Sequence, residues 1–333
     1  AGGTGAGIVR VPIERDPPAS LERPMIDQAM STGVKAIDTL LTCGHGQRLG
    51  IFAGSGVGKS TLLGMLARGS QADRIVIGLV GERGREVQEF IDRCLGPEGL
   101  ARSVVVVATS DRPASQRVAA ASAATAIAES FRDAGENVLL LIDSVTRYAM
   151  ALREIGLAAG QAPTTRGYPA DVFARLPVLV ERTGRTRQGS ITAFYSVLVE
   201  GDDPNEPIAD TLRGLLDGHI VLNRSLSTGG HFPPIDPLES LSRLQPHVVS
   251  QAAMNAAIAA RRELATYRKN EDLISIGAYR AGTDPGIDRA IAMQASIMQF
   301  LQQDAGQLQT LEQSQQMLAQ ITSAAAPIPP VAS

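Results

Sequence analysis

The 333-residue sequence contains no tryptophan, and aromatic residues make up only 4% of it. That scarcity leaves little for a base-stacking platform of the kind single-stranded nucleic acids need. No basic surplus compensates: 31 Lys and Arg stand against 34 Asp and Glu, a formal net charge of −3. A dedicated nucleic-acid binder is thereby disfavoured, and no nucleic-acid partner is expected. Cysteine occurs twice, at Cys43 and Cys94, with no CxxC spacing, which points to free thiols in a reducing compartment. The four histidines, His45, His219, His231 and His247, lack ligand spacing, so a zinc site is not expected. No apolar run is long enough to span a bilayer, and the start does not read as a signal peptide. Lysine appears three times, at Lys35, Lys59 and Lys269.

One of those three lysines stands in the stretch around which the chain is organised. Ile51–Leu63 reads IFAGSGVGKSTLL: a buried strand, a glycine-rich turn and a helix start. Gly54, Gly56 and Gly58 allow a tight turn and close approach of backbone to a ligand. The amides of Gly54, Ser55, Gly56, Val57, Gly58, Lys59, Ser60 and Thr61 then make an anion nest, reinforced by the helix N-terminus. Lys59 can reach β- and γ-phosphates, and the Ser60 hydroxyl can ligate Mg²⁺. Ala53 stands where such loops usually have their first glycine.

The rest of the first half alternates strand with helix. Apolar runs at 48–53, Ile75–Val80, Ser103–Ala108 and Asn137–Ile142 are strands of a sheet buried on both faces, with helices between them. The stretch TGVKAIDTLL before the loop reads as a short amphipathic helix. Helices are expected over 59–68, from Gly84 to about Leu95, over 114–134, 144–156 and 170–182. A strand at 190–199, an acidic loop EGDDPNEP, a strand at 217–223 and a Gly/Pro loop at 229–237 follow. From His247 onward the pattern is helical, with breaks near Asn270–Gly277 and Gly282–Gly286.

Two carboxylates end core strands. Asp143 closes VLLLID and suits the Mg²⁺ shell, usually through water. Glu82 follows Val80-Gly81 on a strand expected beside the loop strand or one away. There it would orient and polarise an attacking water, because ligands of open parallel sheets bind outside the carboxyl strand ends. Arg83 would contact a carboxylate or phosphate, or belong to a plain Glu-Arg surface turn. Arg243, in DPLESLSRLQP, reads from its chemistry as a solvated arginine.

FAGSGVGKSTLL, GLVGERGREV, LLLIDSVTRYA, APTTRGYPADVFARLP and HFPPIDPLESLSR, in that order, resemble the export ATPases of type III secretion systems. That family includes the flagellar exporter and is related to the rotary F-type ATPase catalytic subunit. The resemblance covers about residues 20–303. It implies a RecA-like P-loop fold of the α/β class, with a mainly parallel central sheet and a small C-terminal helical domain. It implies ATP and Mg²⁺ as ligands, Glu82 as catalytic glutamate, Lys59 and Ser60 on phosphate and metal, and Asp143 on the metal side. Arg243 falls at the family's arginine finger, and Arg83 and Arg147 at phosphate-proximal arginines. Phe232 matches the aromatic that packs on adenine, and Tyr279 a second one.

The implied organisation is residues 1–20 as a linker remaining from a β-barrel domain, 21–245 as the ATPase domain, 246–322 as the helical domain and 323–333 as a flexible tail. The implied assembly is a homohexamer with sites between subunits, weakened without the barrel and so mainly monomeric at low concentration. The implied partners are stalk and stator or regulator proteins, chaperone–effector complexes and the export gate. The place is the cytoplasm, peripheral to the inner membrane. A rotary-ATPase catalytic subunit, a ring-shaped RNA helicase and a nucleotide-binding scaffold without catalysis are the alternatives. The short C-terminal part favours the export branch over the rotary one.

Overall fold

The apolar, β-branched runs become neighbouring strands of one eight-stranded sheet in the computed structural model, which describes residues 10–199 and 206–324. Two short strands, β1 (Ala29–Met30) and β2 (Cys43–Gly44), pair apart from it and bracket α1 (Lys35–Leu40). β3 (Arg48–Ala53) runs through a turn into α2 (Lys59–Gly69). β4 (Arg74–Val80) is followed by α3 (Gly84–Glu89), a π-helical segment at Phe90–Leu95 and α4 (Gly96–Ala101). β5 (Ser103–Ala108), α5 (Ala114–Asp133), β6 (Asn137–Asp143), α6 (Val145–Ala158) and α7 (Ala170–Glu181) continue the alternation. β7 (Gly184–Arg185) folds back on β8 (Ser190–Leu198). Then come α8 (Pro207–Leu215), β9 (Gly218–Leu222), α9 (Arg224–Thr228), β10 (Leu241–Ser242) and α10 (Gln245–Val248). Three helices, α11 (Gln251–Ser275), α12 (Pro285–Leu301) and α13 (Leu311–Ala324), complete the described chain.

The sheet order is β10-β9-β3-β8-β6-β4-β5, with β7 added on β8. β10 and β7 are its antiparallel members; the other pairings are parallel. Helices cover both faces, so the core has two halves. One holds Leu62, Phe90, Ile297 and Leu318, and the other Ala121, Tyr148, Val172 and Leu212. The first joins α2 to α12 and α13, so the C-terminal helices share a core with the sheet.

Three expectations need correction. Glu82 does not follow a strand beside the loop strand or one away, because β8 and β6 both stand between β3 and β4. Chain order says little about sheet order when a late strand inserts centrally. Second, α1 is not amphipathic in place: all six residues are buried, Lys35 and Asp38 included. Its polar groups find protein partners instead of water. Lys35 Nζ donates to Gln302 O at 2.6 Å, and Asp38 accepts from Thr32 N at 2.8 Å and Thr32 Oγ1 at 2.7 Å. Third, the helix after Glu82 does not stay α-helical to Leu95 but widens into the π-helical segment. The expected break near Asn270–Gly277 is present, with α11 ending inside it at Ser275. The Asn270 side chain bonds Thr266 O at 2.8 Å, one turn back, so this polar residue sits within the helix without ending it. Most of the acidic loop and of the expected tail lie outside the described residues. The loop's last two residues, Glu206 and Pro207, open α8, whose first turn the Glu206 carboxylate caps at Ala209 N, 2.7 Å.

Gly64 shows how tightly α2 is seated. A Cβ there would lie 2.5 Å from Cys94 O and 2.8 Å from Cys94 C, backbone atoms of the π-helical segment. Gly64→Ala is therefore expected to destabilise the protein by about 1–3 kcal/mol through overpacking, despite alanine's better helix propensity. Chemical denaturation measures this; an equal or higher midpoint would show that the contact yields.

Candidate functional site

The register of the sheet brings the chemistry to one edge. Ala53, the last residue of β3, pairs with Leu198 on β8 and Leu222 on β9, while Asp143 on β6 pairs with Leu79 on β4. The carboxyl ends of these strands thus open on the same side. Gly56 and Gly58 turn the loop there with φ of 76° and 102°. A Cβ at Gly56 would meet nothing, so backbone conformation rather than space calls for glycine. α2 begins at once with Lys59.

The Lys59 ammonium lies 2.5 Å from Asp143 Oδ1 and 3.6 Å from Glu82 Oε1. Two sequence-predicted carboxylates and the loop lysine therefore meet, although β8 separates the loop strand β3 from the neighbouring β6 and β4. Burial alone pushes the Lys59 ammonium down, but Asp143 and Glu82 overcome it and hold its pKa above the ordinary value. For Glu82, burial and then the neighbouring Asp143 carboxylate push the pKa up to about 7, against the pull of Lys59. Glu82 Oε1 and Arg147 Nε are buried without a hydrogen-bond partner. Buried polar atoms of both signs left unsatisfied fit a site built for a polar ligand.

A cavity of about 600 Å³ opens over this cluster. It is lined by the loop from Gly54 through Thr61 with the exception of the buried Val57, and by Glu82, Arg83 and Arg147 among others. Arg147 sits in the first turn of α6, where Ser144 Oγ accepts its backbone N–H at 3.2 Å. Its Cβ packs where Gly81 has none: a Cβ on Gly81 would come within 2.9 Å. The Arg83 side chain is 77% exposed and pairs with Glu86 at 3.4 Å, so it stands at the rim. A second cavity of about 400 Å³ shares Gly58 and Thr61 with the first. Its walls are Leu62, Met65, Phe232, Pro233, Pro234 and residues 302–305. One cavity is polar and cationic and the other carries an aromatic, an arrangement matched to phosphates at one end and a flat base at the other.

Two predicted residues are not brought here. Tyr279 lines neither cavity; its hydroxyl lies 2.9 Å from both Asp284 O and Asp288 Oδ1, tying the turn between α11 and α12. Arg243 follows β10, whose Ser242 pairs with Gly218 at the amino end of β9. That is roughly 13 Å along β9 from Leu222 and the loop. Its backbone N–H bonds Asp217 O at 2.9 Å and its guanidinium bonds Arg213 O at 3.2 Å.

Two contributors were not singled out from sequence. Ser196 Oγ on β8 donates to Asp143 Oδ1 at 2.6 Å. The only signal was a hydroxyl late in the apolar run SITAFYSVLV. Arg224, opening α9, donates to Ser55 O in the loop at 3.2 Å, and nothing in the sequence near Arg224 marked it.

Mg²⁺ suits the oxygen donors present, the Ser60 hydroxyl and the Asp143 carboxylate, which are hard ligands. Among the described residues no cluster of three or more His, Cys, Asp or Glu side chains could hold a metal by itself.

Known proteins bear the same signature. The family model for the nucleotide-binding domain of the ATP synthase alpha/beta family matches residues 33–242. The model for the T3SS EscN ATPase C-terminal domain matches residues 249–320. The flagellum-specific ATP synthase of Bacillus subtilis is 57% identical over 95% of this chain and 72% of its own length. The type 3 secretion system ATPase of Xanthomonas euvesicatoria is 52% identical over 94% and 71%. Assembled EscN from the enteropathogenic E. coli type III secretion system superposes with a TM-score of 0.90 at 49% identity, over 96% of this chain and 79% of that one. EscN in complex with its central stalk EscO gives a TM-score of 0.88 at 48% identity, with the same two coverages. The C-terminal match and these relatives agree on the type III secretion and flagellar ATPases. This chain is an ATPase that belongs to the ATP synthase alpha/beta nucleotide-binding family, within its flagellar and type III secretion branch.

Proposed function

We propose that this ATPase hydrolyses ATP·Mg²⁺ to energise type III protein export, unfolding substrates and releasing them from chaperones. The observation that carries the catalytic part is the Lys59 ammonium held between Asp143 at 2.5 Å and Glu82 at 3.6 Å, at the mouth of the glycine-rich loop. In this reading Lys59 transfers its contact to the β- and γ-phosphates, and the loop amides cradle them. Ser60 and Asp143 would hold Mg²⁺, which would supply charge neutralisation on the phosphates. Ser196 fixes the orientation of Asp143, Arg147 contacts the phosphates from the first turn of α6, and Arg83 contacts them from the rim. Glu82 accepts the proton of the attacking water. The Phe232 cavity takes the adenine. Arg243, at the other end of β9, serves a neighbouring copy in a ring of six.

The relatives' assembled forms support a homohexamer and a central stalk partner. Stator or regulator proteins, chaperone–effector complexes and the export gate complete the proposed partner set, in the cytoplasm at the face of the inner membrane. Among the described residues no helix is long and apolar enough to cross a membrane, so attachment would run through the apparatus.

Glu82→Gln tests the assignment. It keeps the shape and removes the base, so ATP·Mg²⁺ binding is expected to persist while turnover falls about a hundredfold or more. Because the Glu82 pKa sits at about 7, wild-type kcat/KM should decline as pH drops through that value and protonates the base. The variant should lack that limb. Lost binding with a normal rate per bound ATP would make Glu82 a binding residue instead.

A further inference from the structure

The segment leading from the Phe232 cavity to Arg243 is organised by one buried carboxylate. Ile235 bridges Leu222 at the carboxyl end of β9, and Leu241 and Ser242 pair with its amino end. The intervening loop turns around Asp236, which is 1% exposed. Asp236 Oδ1 accepts from the backbone N–H of Leu238 at 2.9 Å and of Glu239 at 3.2 Å. Its Oδ2 accepts from Asn223 Nδ2 at 3.1 Å. Arg268 on α11 completes the set, with Nη2 at 3.0 Å from both oxygens. Burial alone would raise the Asp236 pKa, but Arg268 and the Leu238 and Asn223 donors outweigh it and hold the carboxyl below its ordinary value. A second arginine of α11, Arg261, donates to Pro237 O and to Ser240 O, the latter at 3.3 Å. The loop is tied at both ends, to β9 by Asp236 N–H on Val221 O at 2.9 Å and to the residue before β9 by Arg243 N–H on Asp217 O at 2.9 Å, and its middle is clamped from α11.

We propose that Arg268 is a positioning residue for Arg243: through Asp236 it fixes the loop that presents Arg243, so that the placement of α11 sets turnover at the neighbouring copy's nucleotide. This rests on the reading of Arg243 as a residue acting between copies. The charge is at stake as well as the bulk. A carboxylate buried among donors is satisfied only while each donor is present, and a displaced loop shifts Arg243 with it. Misplacement of a transition-state contact by about 1 Å costs on the order of 10²-fold in rate.

The experiment measures kcat, nucleotide affinity and assembly for Arg268→Ala, Arg268→Lys, Arg243→Ala and the Arg268→Ala/Arg243→Ala double variant of the assembled protein. The expected result for Arg268→Ala is a fall in kcat of about tenfold to a hundredfold with ATP affinity within about twofold of wild type. Arg268→Lys should regain most of the rate, since its ammonium reaches the same carboxylate. In the Arg243→Ala background, Arg268→Ala should cost nothing further, because its target is gone. If Arg268→Ala fails to assemble, Arg268→Gln keeps the length and a donor without the charge, and the same three readings apply to it. Unchanged kcat in Arg268→Ala, or a full further loss in the double variant, overturns the proposal. Arg243→Ala with wild-type turnover in an assembled ring overturns the between-copy reading itself, which separates the two failures.

Discussion

Lys59→Ala is expected to abolish both ATP binding and turnover. The ammonium lies 2.5 Å from Asp143 and also neutralises Glu82 at 3.6 Å. Its loss leaves the Asp143 carboxylate without its ion-pair partner, facing the place where the phosphates would enter. Like charges in a partly buried site then oppose a polyanion instead of attracting it. Glu82 would hold its proton to higher pH than its present value of about 7, since Lys59 is what pulls that value down. The proposed base would therefore be impaired along with the proposed phosphate contact. Titration with a fluorescent ATP analogue and phosphate release together check this. Turnover at the wild-type level would remove the glycine-rich loop from the reaction.

Arg243→Ala should lower the turnover of the assembled protein by about 10³-fold while each copy still binds nucleotide. The physical basis is distance. Arg243 sits beyond the amino end of β9, while Phe232 and the loop lie at the carboxyl end, so one copy cannot bring both to one phosphate. Wild-type specific activity should rise with protein concentration, and Arg243→Ala should stay flat. Mixing Arg243→Ala with Lys59→Ala is the sharper test. Each is inactive alone, yet a mixed interface joins the intact loop of one copy to the intact arginine of the other. Recovered turnover supports a shared site. A mixture that co-assembles and stays inactive shows that Arg243 does not act between copies.

Much of the site was legible because it is local. A strand, a turn with positive φ at Gly56 and Gly58, and a helix starting at Lys59 lie within a dozen residues, and each step has a short-range cause. Asp143 was legible for the same reason, as a charge ending an apolar run. Ser196 and Arg224 were not, since a hydroxyl in a strand or an arginine after one carries no sign of what it will touch. Tyr279 shows the converse: its place in the chain suggested a base contact, and the fold spends its hydroxyl on Asp284 and Asp288.

What the sequence determined by itself was the set of elements and the chemistry at their ends, because hydrophobic period, glycine conformation and charge act over a few residues. Only the tertiary structure decided which strands are neighbours, and so that Glu82 reaches Lys59 across two intervening strands. It also decided that α1 is buried whole beneath the C-terminal helices and that Asp236 ties α11 to the Arg243 segment. These pairings join residues tens to hundreds of positions apart. They are selected by packing and by the need to satisfy every buried polar group at once, and no short window of sequence contains that information.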